Sequence, residues 1–132
     1  MSVYNNYKYY KYRYQELYRT SHQGFLRGSN AAQVMKDLFT ILRTLDGAIK
    51  AAYSKRSQAK SIYFNNIKYY KEFGGLYPDY SAVSYADEVI EWLKDVQLDI
   101  QEIIKEIKSH ERWKYYSELP VLIGFLKESF NC

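Results

Sequence analysis

The chain has 132 residues, 47% of them hydrophobic, with 19 Lys and Arg against 15 Asp and Glu, a net charge of +4 and a pI near 9.0. That length builds one domain around a single core, and that composition excludes a disordered chain. The one cysteine, Cys132, excludes an intramolecular disulfide and a cysteine-paired zinc site; no run of about 18 apolar residues is present to span a membrane, and the N-terminus has no apolar stretch of the secretory kind.

The charge is unevenly spread. Residues 1–60 hold eleven Lys or Arg and three Asp or Glu (+8), and residues 61–132 hold eight and twelve (−4). Such polarity between halves points to nucleic acid, a membrane surface or self-association.

The first twenty residues contain seven tyrosines and four basic residues, with Glu16 as the only acid. Tyr10, Tyr12 and Tyr14 alternate with Lys11 and Arg13 as a strand would. As a helix, Val3, Tyr7, Tyr10, Tyr14 and Leu17 form an apolar stripe, and Lys8, Lys11, Gln15 and Arg19 a polar one. The helix accounts for more residues and is the preferred reading. Ser21 to Asn30 is a connector, with Gly24, Gly28 and Ser29 as breakers and Asn30 as a candidate N-cap. The arm is expected to lie outside the remaining helices, so that residues 1–28 are arm and connector and 29–132 the helical body.

From Ala31 a helical period runs through Leu38, Leu42, Leu45, Ile49 and Ala52, and on through Arg56, Ala59 and Tyr63. Gly47 interrupts it at a cost of about 1 kcal/mol against alanine. The polar run Ser54 to Ser57 leaves two possibilities open: helices at about 31–53 and 58–73, or one long helix. Gly74, Gly75 and Pro78 mark a loop. Ser84 is then a candidate N-cap, with Asp87 completing a capping box. Ala86, Val89, Leu93, Val96, Ile100, Ile103, Ile107 and His110 form a strict apolar seam, extending to about Tyr116. Leu119-Pro120 breaks it, and Val121 to Phe130 forms a last short helix. The expected fold is all-α, an antiparallel four-helix-type bundle with a basic, tyrosine-rich helical arm.

No catalytic constellation appears. His22 and His110 have no metal-ligand neighbour at helical spacing, Cys132 lacks a nearby base, and the glycines form no phosphate loop. The expectation is a non-enzyme with no cofactor, no metal and no small-molecule substrate. Glu91, Asp95 and Asp99, and Glu102 and Glu106, make an acidic helix face that serves solubility, faces away from a polyanion, or docks a basic neighbour. The basic half carries the candidate nucleic-acid contacts: Lys8, Lys11, Arg13, Arg19, Arg27, Lys36, Arg43, Lys50, Lys55, Arg56 and Lys60, with Tyr7, Tyr10 and Tyr14. Lys and Arg displace counterions from phosphates, and tyrosine hydroxyls bond phosphate and sugar. Binding without base specificity is expected, to single- or double-stranded nucleic acid.

With YKYYKYRYQELYR at Tyr7 to Arg19 ahead of basic-striped helices, the layout resembles the major coat proteins of filamentous archaeal viruses, the lipothrixvirus and rudivirus group. The resemblance implies a virion protein, made in the host cytoplasm, that wraps linear double-stranded DNA in A form. It implies pairing with itself or a related coat protein in a helical filament, with Lys8, Lys11, Arg13 and Arg19 lining the DNA. The acidic second half departs from a simple basic binder and suits an outward surface. Two other readings stay open: a helical protein-interaction module of secreted or immunity type, and a membrane-surface protein using the amphipathic arm.

Overall fold

A computed structural model describes residues 2–20, 28–109 and 119–132. The described residues are almost entirely helical: α1 (Ser2–Asn5), α2 (Tyr7–Thr20), α3 (Gly28–Phe73), α4 (Ser81–Ser109) and α5 (Leu119–Phe130). The question over residues 31–73 resolves as one helix. Forty-six residues at about 1.5 Å each make it roughly 69 Å long. It begins at Gly28, so Asn30 sits inside its first turn rather than capping it.

Local chemistry explains the ends. Gly74 and Gly75 adopt φ of 79° and 104°, and the Gly74 amide donates to the Tyr70 carbonyl at 2.7 Å, an αL stop that a side chain would strain. The expected cap at Ser84 is displaced. Asp79 accepts from the Ser81 amide at 2.9 Å and from its hydroxyl at 2.7 Å, and α4 starts at Ser81, four residues earlier than a cap at Ser84 would set it. Those two bonds hold the Asp79 carboxyl below its usual range. Pro120 occupies the first turn of α5, where a missing N–H costs nothing. At the other end Asn131 takes φ 58° and the Cys132 amide bonds the Lys127 carbonyl at 2.9 Å, a Schellman closure.

α3 and α4 form an antiparallel hairpin. Tyr63 meets Tyr80, Arg56 pairs with Asp87, Lys94 bonds the Tyr53 hydroxyl at 2.6 Å, and Lys108 lies over Phe39. α5 packs along the first half of α3, with Lys127 3.4 Å from Asp37. The α4 seam is buried as its spacing indicates, from Ala86 to Ile107. On α3 the buried line is Val34, Leu38, Ile41, Leu45, Ile49 and Ala52; Ile41 takes the central place expected of Leu42, which is half-buried.

The arm is not outside this body. Val3, Tyr7 and Tyr14 belong to the same core cluster as α3, α4 and α5. The physical reason is the apolar stripe itself, which buries against α4 and α5 instead of facing water. Most of the connector, and the region of His22, Arg27, His110 and Tyr116, lies outside the described residues.

Gly47 sits exposed in mid-α3 with open space where a Cβ would go. Gly47→Ala is expected to stabilise the fold by about 1 kcal/mol, read as a higher urea midpoint with unchanged slope.

Candidate nucleic-acid interface

The arm's helical period sorts its side chains into two faces. Inward, the Tyr7 hydroxyl donates to the Glu88 carboxylate, the Tyr14 hydroxyl donates to Asp99 at 2.9 Å, and the Tyr85 hydroxyl donates to the Tyr4 carbonyl. Tyr14 stacks on Tyr18 at 5.7 Å and meets Trp92 edge-on at 6.5 Å, while Tyr10 packs 6.1 Å from Phe125. Partners rise together along the two helices, so α2 runs parallel to α4. Asn6 joins α1 to α2, its carbonyl accepting from the Tyr9 and Tyr10 amides.

Outward, Lys8, Lys11, Tyr12, Gln15 and Arg19 lie within about 100° of arc and all are exposed. The three cations form no ion pair among the described residues. Arg13 differs: it is half-buried and held 3.0 Å from Glu16. Eleven residues separate Lys8 from Arg19, a span of about 16 Å, or roughly five base-pair rises of about 3.4 Å. The outward stripe can therefore follow a short stretch of phosphate backbone.

The structure withdraws Tyr7 and Tyr14 from the proposed contacts. Their rings are buried and their hydroxyls are committed to carboxylates on α4. Tyr10 is half-buried against α5. Tyr9 and Tyr12, 60% and 62% exposed, are the arm tyrosines whose rings face solvent, the Tyr12 hydroxyl being bonded to the neighbouring Glu16. The signal was present in the spacing: residues off the Val3–Tyr7–Tyr10–Tyr14 stripe are the ones left for solvent.

The α3 cations lie on a different helix from the arm's stripe. Lys36, Arg43 and Lys50 are exposed, with Lys50 3.3 Å from Asp46. Both α3 and the arm pack on α5 and against α4 rather than extensively on each other. Lys55 lies 4.5 Å over the Tyr4 ring, Arg56 is paired with Asp87, and Lys60 is half-buried. Lys55 thus serves the arm's docking and Arg56 the hairpin.

Burial has a titration consequence. It is the leading cause raising the phenols of Tyr4, Tyr14, Tyr18 and Tyr85 above the ordinary value of 10.0, with Asp99 adding to Tyr14 and Tyr18. A phenol raised on folding contributes stability that is complete below the unfolded value, about 10, and is lost as pH climbs towards the folded value. The folded chain is therefore expected to hold these tyrosines neutral at pH near 10, then unfold in base. Tyrosinate absorbance followed against circular dichroism tests this; smooth titration of all tyrosines with the fold intact contradicts it.

Among the described residues no group of three or more His, Cys, Asp or Glu could hold a metal, and no helix is long and apolar enough to cross a membrane. Comparison with known proteins finds no matching family, no similar curated protein and no solved structure that matches.

Proposed function

We propose that this chain is a structural coat protein that binds and wraps linear double-stranded DNA without sequence specificity and assembles into a helical filament. The observation that carries the reading is the outward face of α2. Three exposed cations and two exposed tyrosines are held on a helix whose other face is locked into the core. Such a face meets phosphate with little further ordering, because its backbone is already fixed. Acidic residues concentrate on α4 and border the α2 cations across the groove between the two helices, so the DNA-facing surface in this reading is the outer side of α2 alone. In this reading α2 to α5 act as an antiparallel four-helix-type bundle and the chain is non-catalytic. Its partners are DNA, itself and a second coat chain of related sequence, as in the filamentous archaeal viruses it resembles.

The test is retention of linear duplex DNA as salt is raised. Three phosphate contacts give a log–log slope of about −2.7 and roughly a 40-fold loss of affinity between about 50 and 200 mM salt. Electron microscopy of the mixture is expected to show filaments. No retention at about 50 mM, where phosphate contacts are strong, refutes the DNA-binding role.

A further inference from the structure

The far end of the α3–α4 hairpin is uncovered. No residue between Tyr53 and Ala82 is buried. Ile62, Tyr69 and Phe73 fall on one face of α3, and Leu76 and Tyr77 follow at the turn. All five are more than 60% exposed, Leu76 reaching 96%. The loop explains why. Its chain folds back along α3, with Tyr77 5.3 Å from Tyr70 and Tyr80 4.8 Å from Tyr63, so α4 begins well short of the α3 tip. Lys68 and Lys71 lie exposed on the same segment, about 120° and 180° round the helix from that apolar face.

A complementary surface exists on the same chain. Between α2 and α4 lies a groove of about 320 Å³ walled by Tyr14, Tyr18 and Trp92 and edged by Asp95, Asp99 and Leu98. Leu98 is 59% exposed, and Glu91, Asp95 and Glu102 stand exposed along that side of α4. Lys11 sits on the opposite rim. Asp95 lies fourteen residues into α4, about 21 Å from its start, and the tip points beyond that start. The chain cannot seat its own tip in its own groove.

We propose that the tip of one chain, residues 62–77, docks in the α2–α4 groove of a second copy. It rests on the self-assembly part of the coat reading and supplies its contact surface. Aromatic and aliphatic side chains of the tip enter the groove walled by Tyr14, Tyr18 and Trp92. Five large side chains, each of the order of 150–250 Å² and more than half exposed, can bury roughly 500–700 Å² on the tip side. That approaches the ~800 Å² per partner of a standard stable interface. Because tip and groove are different patches, the contact is heterologous: each chain keeps a free tip and a free groove, and addition continues as an open filament.

The experiment is sedimentation of the full chain without DNA, using two variants altered only at exposed positions, with circular dichroism confirming each fold. A tip variant carries Phe73→Asp and Leu76→Asp; a groove variant carries Asp95→Lys and Leu98→Lys. Wild type is expected to form concentration-dependent oligomers at about 100 µM, where a contact with Kd of ~10 µM is largely occupied. Each variant alone is expected to be monomeric, and a one-to-one mixture to form dimers that grow no further. A monomeric wild type, variants that oligomerise like wild type, or a mixture that stays monomeric each overturns the proposal. A monomeric wild type that floats with anionic vesicles through its tip would assign the patch to a lipid surface instead. A wild type that stays monomeric yet retains DNA refutes this contact alone; a wild type that oligomerises yet fails to retain DNA refutes the DNA-binding role.

Discussion

Tyr14→Ala is expected to destabilise the folded chain by about 3–5 kcal/mol, the range for deleting a large buried aromatic side chain. Tyr14 is buried between α2 and α4, stacked on Tyr18 and edge-on to Trp92, with its hydroxyl 2.9 Å from Asp99. Removing the ring opens a void that two helices of fixed length cannot collapse into, and removes the hydroxyl that Asp99 accepts. Against a total stability of ~5–15 kcal/mol, such a loss is a large fraction. Tyr14→Phe keeps the ring and is expected to cost about 1.5–3 kcal/mol through the charge-assisted hydrogen bond. Tyr12→Ala, on the solvent face of the same helix, is expected to leave the urea midpoint unchanged. Urea unfolding of the three variants measures the series. Equal midpoints for Tyr14→Ala and wild type would mean that the arm is not part of the core in solution.

The second large effect concerns binding. Lys8→Gln, Lys11→Gln and Arg19→Gln together are expected to reduce the salt slope of DNA retention by about 2.7 and to weaken binding on the order of a thousand-fold at ~50 mM salt. The size follows from three released counterions, each worth ~0.9 log units per tenfold change in salt. All three side chains are exposed, so the circular dichroism spectrum and the urea midpoint should not move. The matched control replaces Lys36, Arg43 and Lys50, which are exposed on α3. If the arm variant retains DNA like wild type while the α3 variant loses it, the interface belongs to α3, and the outward arm face is only a solvated one.

Much of the helical architecture is legible in the chain because helix periodicity and helix ends are local. The seam from Ala86 to Ile107 repeats with the helical period, and those side chains are the buried face of α4. Gly74-Gly75 ends α3 because glycine reaches positive φ without strain. The arm's two faces are also local: the stripe through Val3, Tyr7 and Tyr14 is inward, and the one through Lys8, Lys11 and Arg19 is outward.

What covers each face is not local, and there the tertiary structure decides. Tyr7 meets Glu88 and Tyr14 meets Asp99 across more than eighty residues of chain. Nothing in the spacing of either segment names the other, so the arm reads as separable although its tyrosines are core. Spacing separates the stripe of Tyr7, Tyr10 and Tyr14 from Tyr9 and Tyr12, but only docking on α4 and α5 turns the first set into packing and leaves the second to solvent. Ser54 to Ser57 looks like a break, yet α3 runs through it, because Arg56 within it pairs with Asp87 and the adjoining Tyr53 with Lys94 across the hairpin. The bare tip follows from loop path: the 74–80 segment returns along α3 before α4 begins, so Ile62, Tyr69 and Phe73 keep a helical apolar spacing with nothing laid against it. Amino-acid pattern alone determined that this chain is helical and which side of each helix is apolar. Three-dimensional packing determined which apolar sides are spent inside the molecule and which stay exposed, because burial depends on chain path between elements and not on period within them.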